Sequence, residues 1–226
     1  MVKRTFDVFC VCCALLVLGL PLAVVAVALR LTGEGEIFYG QERIGRGGRP
    51  FRILKFATML KNSPHLSGGD ITVKGDPRIL PVGRFLRKTK INELPQLFNV
   101  LLGDMSLIGY RPLTPRVAAL FPQGYWSELS DIRPGLSGIG SIVFRDEERL
   151  LSASSDRERL YSEVIVPYKA ALELWYARHQ SFWLDLKLIA LTVVAILKPN
   201  MVADRWFSDL PQAPSAVRNR IPQHQH

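Results

Sequence analysis

The sequence predicts a mixed α/β, helix-rich fold with an N-terminal membrane helix and a short β-hairpin. Three features predict it: a long uncharged N-terminal run, two strand-like runs separated by glycines, and apolar residues at helical spacing over much of the remainder. At 226 residues the chain fits one compact domain with appendages. We expect a membrane segment at 1–32, a membrane-associated domain at 33–200 and an extension at 201–226 that is disordered from about residue 211.

The charge balance narrows the class of partner. Lys and Arg total 29 against 20 Asp and Glu, a formal charge of +9, which indicates a polyanionic partner such as nucleic acid, an anionic bilayer or a nucleotide diphosphate. A hydrophobic content of 48% favours the membrane, and no nucleic-acid-binding motif is found, so we expect no nucleic-acid partner. Cys10, Cys12 and Cys13 fall inside the apolar run and predict neither a disulfide framework nor a zinc site.

The N-terminal run allows two arrangements in a membrane. Val8 to Leu29 is 22 uncharged residues, about 33 Å as a helix, which is enough to cross a bilayer and too long for a signal peptide. Pro21 lies inside the run and predicts a kink. Because cationic residues flank both ends, a helix that bends at Pro21 and re-enters the same leaflet fits the positive-inside tendency. A kinked ordinary span fits the length equally well.

The next two hundred residues alternate turns with short elements. A hairpin is predicted from strands at Ile37–Arg43 and Pro50–Phe56, joined by a glycine-containing turn. A polar loop at 61–75, a short helix or turn within 76–89, and a three-turn helix from Asn92 to Gly103 follow, with Leu94, Leu97, Phe98 and Leu101 on the buried face of the last.

Two further helical regions are predicted near the C-terminus. Glu147 to Ala177 reads as one long region broken at Pro167. Ser181 to Leu197 is helical, but its fully apolar part is too short to cross a bilayer. That helix either packs on the protein core or lies in the membrane interface.

The residues Asn92 and Glu93 open the predicted three-turn helix in an unusually cationic region. Asn is a preferred N-cap and Glu is favourable in a first turn, so helix capping by itself explains both residue types. Capping does not explain the neighbouring cations, which are Lys55, Arg78, Arg84, Arg87, Lys88, Lys90 and Arg111. Free helix amides, a carboxylate and guanidinium groups together suit a phosphate or diphosphate with a divalent cation.

The stretch "DPRILPVGRFLRKTKINELPQLFNVLLGDMSLIGYRP", with "FRILKFATM" before it and "DIRPGLSGIG" after it, closely resembles the bacterial sugar transferases, the small monotopic phosphoglycosyl transferases. The resemblance runs from residue 2 to about residue 200. It implies transfer of a sugar 1-phosphate from a UDP-sugar to undecaprenyl phosphate with release of UMP, the first membrane step of polysaccharide or glycoconjugate assembly. It also implies a location at the cytoplasmic face of the bacterial inner membrane, a re-entrant helix broken at Pro21, and Mg²⁺, or alternatively Mn²⁺, as the cofactor.

The sequence departs from the family pattern at the residues that carry the chemistry. In the family an Asp of an Asp-Glu pair attacks the β-phosphate, and here Asn92 stands at that position while Glu93 is kept. Tyr110 replaces the first proline of Gly-Pro-Arg-Pro, which is expected to relax the backbone before Arg111. Ala57 replaces an arginine, and "GIGSIVFRDEE" replaces another motif, with Arg145 as a candidate substitute for the arginine lost there.

We therefore expect an active transferase in which Glu93 is the principal catalytic carboxylate and Asn92 orients the phosphate or a metal-bound water. Both residues are also candidate metal ligands, and the candidate substrate- and phosphate-binding residues are Lys55, Arg78, Arg87, Arg111 and Arg145. Two alternatives stay open: direct transfer to the lipid in a ternary complex, and a catalytically silent family member that scaffolds a glycan-assembly complex.

Overall fold

The computed structural model describes residues 2–63, 76–122, 124–145, 147–152, 154, 156–197 and 206–218. The chain divides into two compact units. The first unit comprises Met1–Glu42 and Phe51–Gly103, and the second comprises Arg43–Pro50 and Asp104–His226. Residues 33–200, which we expected to form one domain, thus fall in both units.

The first unit contains the predicted membrane helix, most of both hairpin strands and the next helices, while the hairpin turn falls in the Arg43–Pro50 segment of the second unit. Helix α1 is followed by the hairpin predicted from sequence. In the turn of this hairpin, Gly47 and Gly48 take positive φ angles of 66° and 74°. The elements are α1 (Val2–Thr32), β1 (Phe38–Ile44), β2 (Pro50–Phe56), α2 (Pro81–Lys88), a 3₁₀ turn (Ile91–Glu93) and α3 (Gln96–Leu102). The predicted loop at 61–75 lies outside the described residues from residue 64 onward.

Helix α1 is long and apolar enough to cross a membrane, and no second such helix is found within the described ranges. Pro21 lies inside it. Its central side chains are exposed, including those of Leu16, Val17 and Leu20. An exposed apolar surface of this length suits lipid and not water.

Both ends of α1 contact the first unit. Near its start, the Arg4 guanidinium donates hydrogen bonds to the carbonyl oxygens of Val100 and Leu101 at the end of α3. Near its end, Leu29 is fully buried in a small apolar cluster with Phe56 and Leu86. Because the last carbonyls of a helix have no partner within the helix, Arg4 supplies a cation and donors where α3 needs them.

A buried amide joins α3 to the hairpin. Asn99 Nδ2 donates to the carbonyl oxygen of Arg52 at 2.8 Å, and its Oδ1 accepts from the backbone amide of Leu54 at 2.9 Å. Asn99 therefore acts as an additional strand segment along β2. The expected buried face of α3 is correct for Leu97 but wrong for Phe98, which is 41% exposed because Asn99 and Val100 occupy the inner face instead.

The second unit is built around two short parallel strands, β3 (Ser106–Ile108) and β4 (Gly135–Ser137), with Ser106 opposite Gly135 and Ile108 opposite Ser137. The backbone just after β3 lies very close to the backbone just before β4. A Cβ atom at Gly109 would collide with the carbonyl oxygen of Arg133. Only glycine permits this approach.

Short helices surround these strands and enclose the larger apolar core, which includes Tyr110, Tyr125, Leu172, Tyr176 and Leu188. The helices are α4 (Pro115–Ala118), α5 (Tyr125–Glu128), α6 (Ile139–Val143), α7 (Glu147–Ser152), α8 (Arg157–Leu160), α9 (Val166–His179), α10 (Phe182–Leu197) and α11 (Ser215–Arg218).

The predicted break at Pro167 is wrong. A π-helical turn, Tyr161–Ile165, leads directly into α9, and Pro167 lies in the first turn of α9, where a missing amide costs little. The interruption falls between α7 and α8 instead. Helix α10 packs on the core through Leu188 and Leu191 while Trp183 is 77% exposed, so the core-packed alternative describes this helix.

The expected disorder from residue 211 is wrong for residues 211–218. Tyr168 Oη donates to the carbonyl oxygen of Pro211 at 3.1 Å, and Ala213 and Val217 are buried in the core of the second unit. Apolar side chains spaced among prolines therefore hold this segment against the unit. Residues 219–226 lie outside the described residues.

Candidate active site

Glu93 ends a 3₁₀ turn that is made by the backbone. Its amide donates to the carbonyl oxygen of Lys90 at 3.0 Å, and the amide of Leu94 donates to that of Ile91 at 3.1 Å. Lys90 has a φ of 61° and is the one non-glycine residue with positive φ in the part of the chain that the structure describes. Such a conformation costs about 1–2 kcal/mol and is often found at functional sites.

The expected role of Asn92 as a helix cap is wrong. Helix α3 begins only at Gln96, after Pro95, and no side chain caps it. The amides of Glu93 and Leu94, which we expected to be free for a phosphate, are used by the turn. The intervening proline separates the turn from the helix, which is why the simple N-cap pattern failed.

Asn92, which precedes Glu93 in the turn, has a buried side-chain carbonyl oxygen that is unsatisfied. The Asn92 residue is 6% exposed, and its Oδ1 has no hydrogen-bond partner among the described residues. A buried amide oxygen without a partner is costly, and such atoms are commonly satisfied by a ligand, an ion or water. Burying a neutral amide here also costs far less than burying a second carboxylate next to Glu93.

The structure brings Lys55 to Glu93, as the cation pattern suggested. Lys55 Nζ lies 3.3 Å from Glu93 Oε1, and the two side chains are 18% and 22% exposed. Lys55 lies on β2 immediately after Leu54, whose amide is bound by Asn99 of α3. A partly exposed cation and carboxylate in contact can both reach a phosphate that arrives from solvent.

Arg78 has a structural position in place of the expected phosphate-binding one. Its guanidinium forms a two-pronged ion pair with Asp76, with Nε–Oδ1 at 2.9 Å and Nη2–Oδ2 at 2.7 Å, and Nη1 donates to the Ser63 carbonyl oxygen. Both residues are buried. The Arg78 guanidinium holds the pKa of Asp76 at about 2, and the nearby Arg87 adds a smaller attraction. Asp76 was not among the predicted site residues. The sequence order Asp76-Pro77-Arg78 is the signal that could have indicated a local ion pair.

Arg111 belongs to the second unit, where its side chain is exposed and its backbone is firmly held. The expected relaxation of the backbone at Tyr110 is wrong. The Tyr110 side chain is fully buried and packs edge-on against Trp126 with ring centroids 6.0 Å apart. Aromatic burial thus replaces the rigidity that a proline ring would give.

Arg145 also belongs to the second unit and follows Phe144 in the turn after α6. Its Nη1 is buried without a hydrogen-bond partner in the described ranges. A buried guanidinium nitrogen in this state fits a role in binding an anion, which stays a prediction for Arg145.

A buried acidic residue that the sequence analysis missed lies in the same unit as Arg111. Burial raises the pKa of Glu173 to about 7, although the Arg111 amide and the Lys169 and Arg111 cations act in the opposite direction. Lys169 itself is buried, donates to Glu147 Oε1 at 2.6 Å and lies over the rings of Phe144 and Tyr161. Burial lowers the pKa of Lys169.

The oxygen atoms of Asn92 and Glu93 are of the type that binds Mg²⁺ when the ion is also bound to substrate phosphates. No cluster of three or more His, Cys, Asp or Glu side chains suited to a metal is found in the described part of the chain. Mg²⁺ usually binds one or two protein oxygens and completes its shell with water and substrate phosphates. The Glu93 carboxylate and the unsatisfied Asn92 Oδ1 are the two oxygens that would hold such an ion here.

Comparison with known sequences identifies the family. A sequence profile described as "Bacterial sugar transferase" matches residues 1–199. This chain belongs to the bacterial sugar transferase family. The family's presence over nearly the whole chain confirms the resemblance read from the motifs around Glu93 and Arg111.

The relatives of this chain carry names that indicate sugar transfer to undecaprenyl phosphate. The undecaprenyl-phosphate glucose phosphotransferase of Komagataeibacter xylinus is 34% identical over 196 residues, which are 84% of this chain and 35% of that protein. The UDP-N-acetylgalactosamine-undecaprenyl-phosphate N-acetylgalactosaminephosphotransferase of Aeromonas hydrophila is 33% identical over 87% of this chain and 44% of its own length. The chain therefore spans less than half of these two relatives. An exopolysaccharide production protein of Rhizobium leguminosarum bv. phaseoli is 34% identical over 87% of this chain and 96% of its own length.

Replacing the buried acid tests its protonation. Between about pH 4.5 and pH 7 the folded chain keeps a proton on Glu173 that the unfolded chain releases, so wild-type stability falls across this window. Glu173→Gln cannot ionise, so its stability relative to wild type should rise by about 3 kcal/mol between pH 5 and pH 8. Thermal or urea unfolding in detergent at both pH values measures this.

The exposed Glu128→Gln serves as the control for Glu173→Gln, because Glu128 pairs with Arg178 at the surface. The change of its stability offset between pH 5 and pH 8 should be smaller than that of Glu173→Gln, because Glu173 is buried and Glu128 is exposed. Parallel stability curves for wild type and Glu173→Gln would show that Glu173 is not protonated in this window.

Proposed function

We propose that this chain transfers a sugar 1-phosphate from a UDP-sugar to undecaprenyl phosphate and releases UMP, at the cytoplasmic face of the bacterial inner membrane. The observation that carries the proposal is the contact of Lys55 with Glu93, in a turn whose preceding residue, Asn92, has a buried, unsatisfied oxygen. The family membership and the names of the relatives support the same reaction.

In this proposal the first-unit residues bind and orient the diphosphate. Lys55 attracts a phosphoryl oxygen and neutralises part of its charge, while Arg87 adds positive potential near the same unit's Asp76. Asn92 and Glu93 would hold Mg²⁺, which when bound neutralises the diphosphate. Arg111 and Arg145 remain predicted phosphate-binding residues in the second unit.

Two routes can use Glu93. In the covalent route, a Glu93 oxygen attacks the β-phosphorus, the bond from that phosphorus to the bridging oxygen breaks, and UMP leaves with the bond electrons. An oxygen of undecaprenyl phosphate then attacks the same phosphorus and releases the carboxylate. In the direct route, the lipid phosphate attacks the β-phosphorus itself in a ternary complex, the bond to the bridging oxygen breaks, and UMP leaves with the bond electrons. Glu93 then acts by holding Lys55, and would act by holding the metal ion, both of which neutralise phosphate charge.

Removing the carboxylate tests the proposal. UMP release from a panel of UDP-sugars with undecaprenyl phosphate in detergent should be detectable for wild type with at least one sugar. Glu93→Gln should lower kcat by about a thousandfold or more. A neutral amide does not attack phosphorus, and it binds neither Lys55 nor a metal ion as strongly as a carboxylate does.

The control for Glu93→Gln is Glu36→Gln, which removes an exposed carboxylate that pairs with Lys61 in the same unit. It should leave UMP release close to wild type. Full turnover by Glu93→Gln would contradict the role of Glu93. Silence of folded wild-type protein across the whole panel would instead favour a scaffolding role in a glycan-assembly complex.

A trapping experiment separates the two routes. Wild type incubated without lipid and with a UDP-sugar labelled at the β-phosphate should acquire protein-bound label that hydroxylamine removes, because an acyl phosphate is labile to it. Glu93→Gln should acquire none. Unlabelled wild-type protein that still turns over with lipid would exclude the covalent route.

The contacts of α1 support a re-entrant helix bent near Pro21. Without a bend, Arg4 and Leu29 would be about 37 Å apart along the helix axis. Arg4 bonds to Val100, and Leu29 lies with Phe56 in one cluster. The two contact sites are linked through Asn99. This residue precedes Val100 and binds the amide of Leu54, which lies two residues before Phe56. A bend in α1 brings Arg4 and Leu29 closer together, which allows both ends of the helix to reach these contact sites.

Thiol labelling tests this topology. In a background without Cys10, Cys12 and Cys13, single cysteines at the exposed positions Val2 and Leu31 mark the two ends of α1. Val2→Cys and Leu31→Cys should both resist a membrane-impermeant maleimide in spheroplasts and both react in inside-out vesicles. Labelling of either end from the outside of spheroplasts would demonstrate an ordinary span.

A further inference from the structure

The segment Tyr110 to Leu113 of the second unit is fixed at every residue. The Tyr110 carbonyl oxygen accepts from the Gly135 amide at 2.8 Å, and the Leu113 carbonyl oxygen accepts from the Ile44 amide at 2.8 Å. Arg43 Nη1 donates to the Pro112 carbonyl oxygen at 3.1 Å. Two parts of the unit, residues 43–44 and Gly135, thus hold three of these four residues, and the fourth, Arg111, has an exposed side chain.

The remaining anchor is a side-chain carboxylate. Arg111 donates its backbone amide to Glu173 Oε1 at 3.3 Å. Glu173 is 3% exposed, and its second oxygen, Oε2, has no hydrogen-bond partner in the described part of the chain. A carboxyl group that is buried with only one of its oxygens hydrogen-bonded destabilises a fold, so stability alone does not explain its presence.

The surroundings of Glu173 are shaped to keep Oε1 at the Arg111 amide. A Cβ atom at Gly140 in α6 would collide with Oε1, so the absence of a side chain there makes room for the carboxyl group. Glu173 itself is carried by the second turn of α9, a helix that contacts α6. Two helices therefore meet around one oxygen atom whose partner is the backbone of an exposed arginine.

We propose that Glu173 is a positioning residue for Arg111: by accepting the Arg111 amide, it fixes the backbone from which the guanidinium reaches a phosphate. This inference rests on the proposed function, because it takes the phosphate of the UDP-sugar as the ligand of Arg111. Glu173 acts through Arg111 and does not touch the substrate. A backbone fixed in this way reduces the ordering that the arginine must undergo when it binds.

A double-mutant cycle tests the coupling. Glu173→Leu removes the acceptor and should raise KM for the best UDP-sugar of the panel by about tenfold with a smaller change in kcat. On an Arg111→Ala background the same substitution should change KM by less than about twofold, because the guanidinium that it positions is gone. Glu173→Gln keeps an acceptor oxygen and should raise KM less than Glu173→Leu.

Asp185→Asn is the matched control, because Asp185 is an equally buried carboxyl in the same unit and accepts from Tyr176 Oη at 2.6 Å. Its effect on KM should be the same with and without Arg111. An effect of Glu173→Leu that persists in full on the Arg111→Ala background would overturn the proposal.

Amide hydrogen exchange provides a readout that does not depend on turnover. In Gly140→Ala, where the added Cβ displaces Oε1, the Arg111 amide should exchange at least tenfold faster than in wild type, while the Ile44 amide keeps its protection. Unchanged Arg111 exchange would overturn the anchoring role even if Glu173→Leu does not fold. Faster Arg111 exchange in Gly140→Ala, combined with wild-type protein that is silent with every UDP-sugar, would place the failure in the proposed function and not in the Glu173–Arg111 bond.

Discussion

The candidate site of the first unit depends on one buried amide, that of Asn99. Its two hydrogen bonds to the backbone of β2 hold α3 against the hairpin. Lys55 follows directly after the bound Leu54, and Glu93 lies in the turn that leads to α3. The contact of Lys55 with Glu93 therefore follows from the way Asn99 joins these two elements. A neutral amide suits this position because it satisfies one backbone donor and one backbone acceptor simultaneously and needs no counter-charge.

The presence of Asn92 in place of an aspartate is consistent with the electrostatics around it. A second carboxylate at a position that is 6% exposed, next to Glu93, would require more positive charge than the contact with Lys55 supplies. With Asn92 the pair keeps two oxygen donors and only one negative charge. The turn also keeps Lys90 in a left-handed conformation, which a protein retains where the surrounding structure requires it. These features fit a working site better than a decayed one.

The second unit holds its exposed arginine by a different device. Glycines allow the backbones near β3 and β4 to approach closely. The buried ring of Tyr110 supplies the rigidity that the family pattern obtains from proline. Around Arg111 the unit then uses buried polar groups, Glu173 and Lys169, whose burial shifts their pKa values in opposite directions. Both units thus use buried polar side chains to place a charged residue that remains partly or fully exposed.

The sequence by itself determined the elements that depend on local pattern. The apolar length of α1, the hairpin with its glycine turn, the end of α3 at Gly103 and the helical state of Phe182–Leu197 all follow from hydrophobic period and turn chemistry over a few neighbouring residues. The order of motifs also determined the family, since the stretches that match in order along the chain outweigh the changes at Asn92 and Tyr110. The cation pattern further indicated that Lys55 would join Glu93.

Only the tertiary structure decided what depends on distant partners. Arg78 and Arg87 look equivalent in sequence, but Asp76 takes the Arg78 charge into a buried ion pair. Asn92 matches a helix cap, but Pro95 moves the helix start and leaves its oxygen without a partner among the described residues. Glu173 looks like any helix-surface acid until α6 and the Arg111 backbone enclose it. Burial and pairing are set by residues far apart in the chain, and a local pattern contains no information about them.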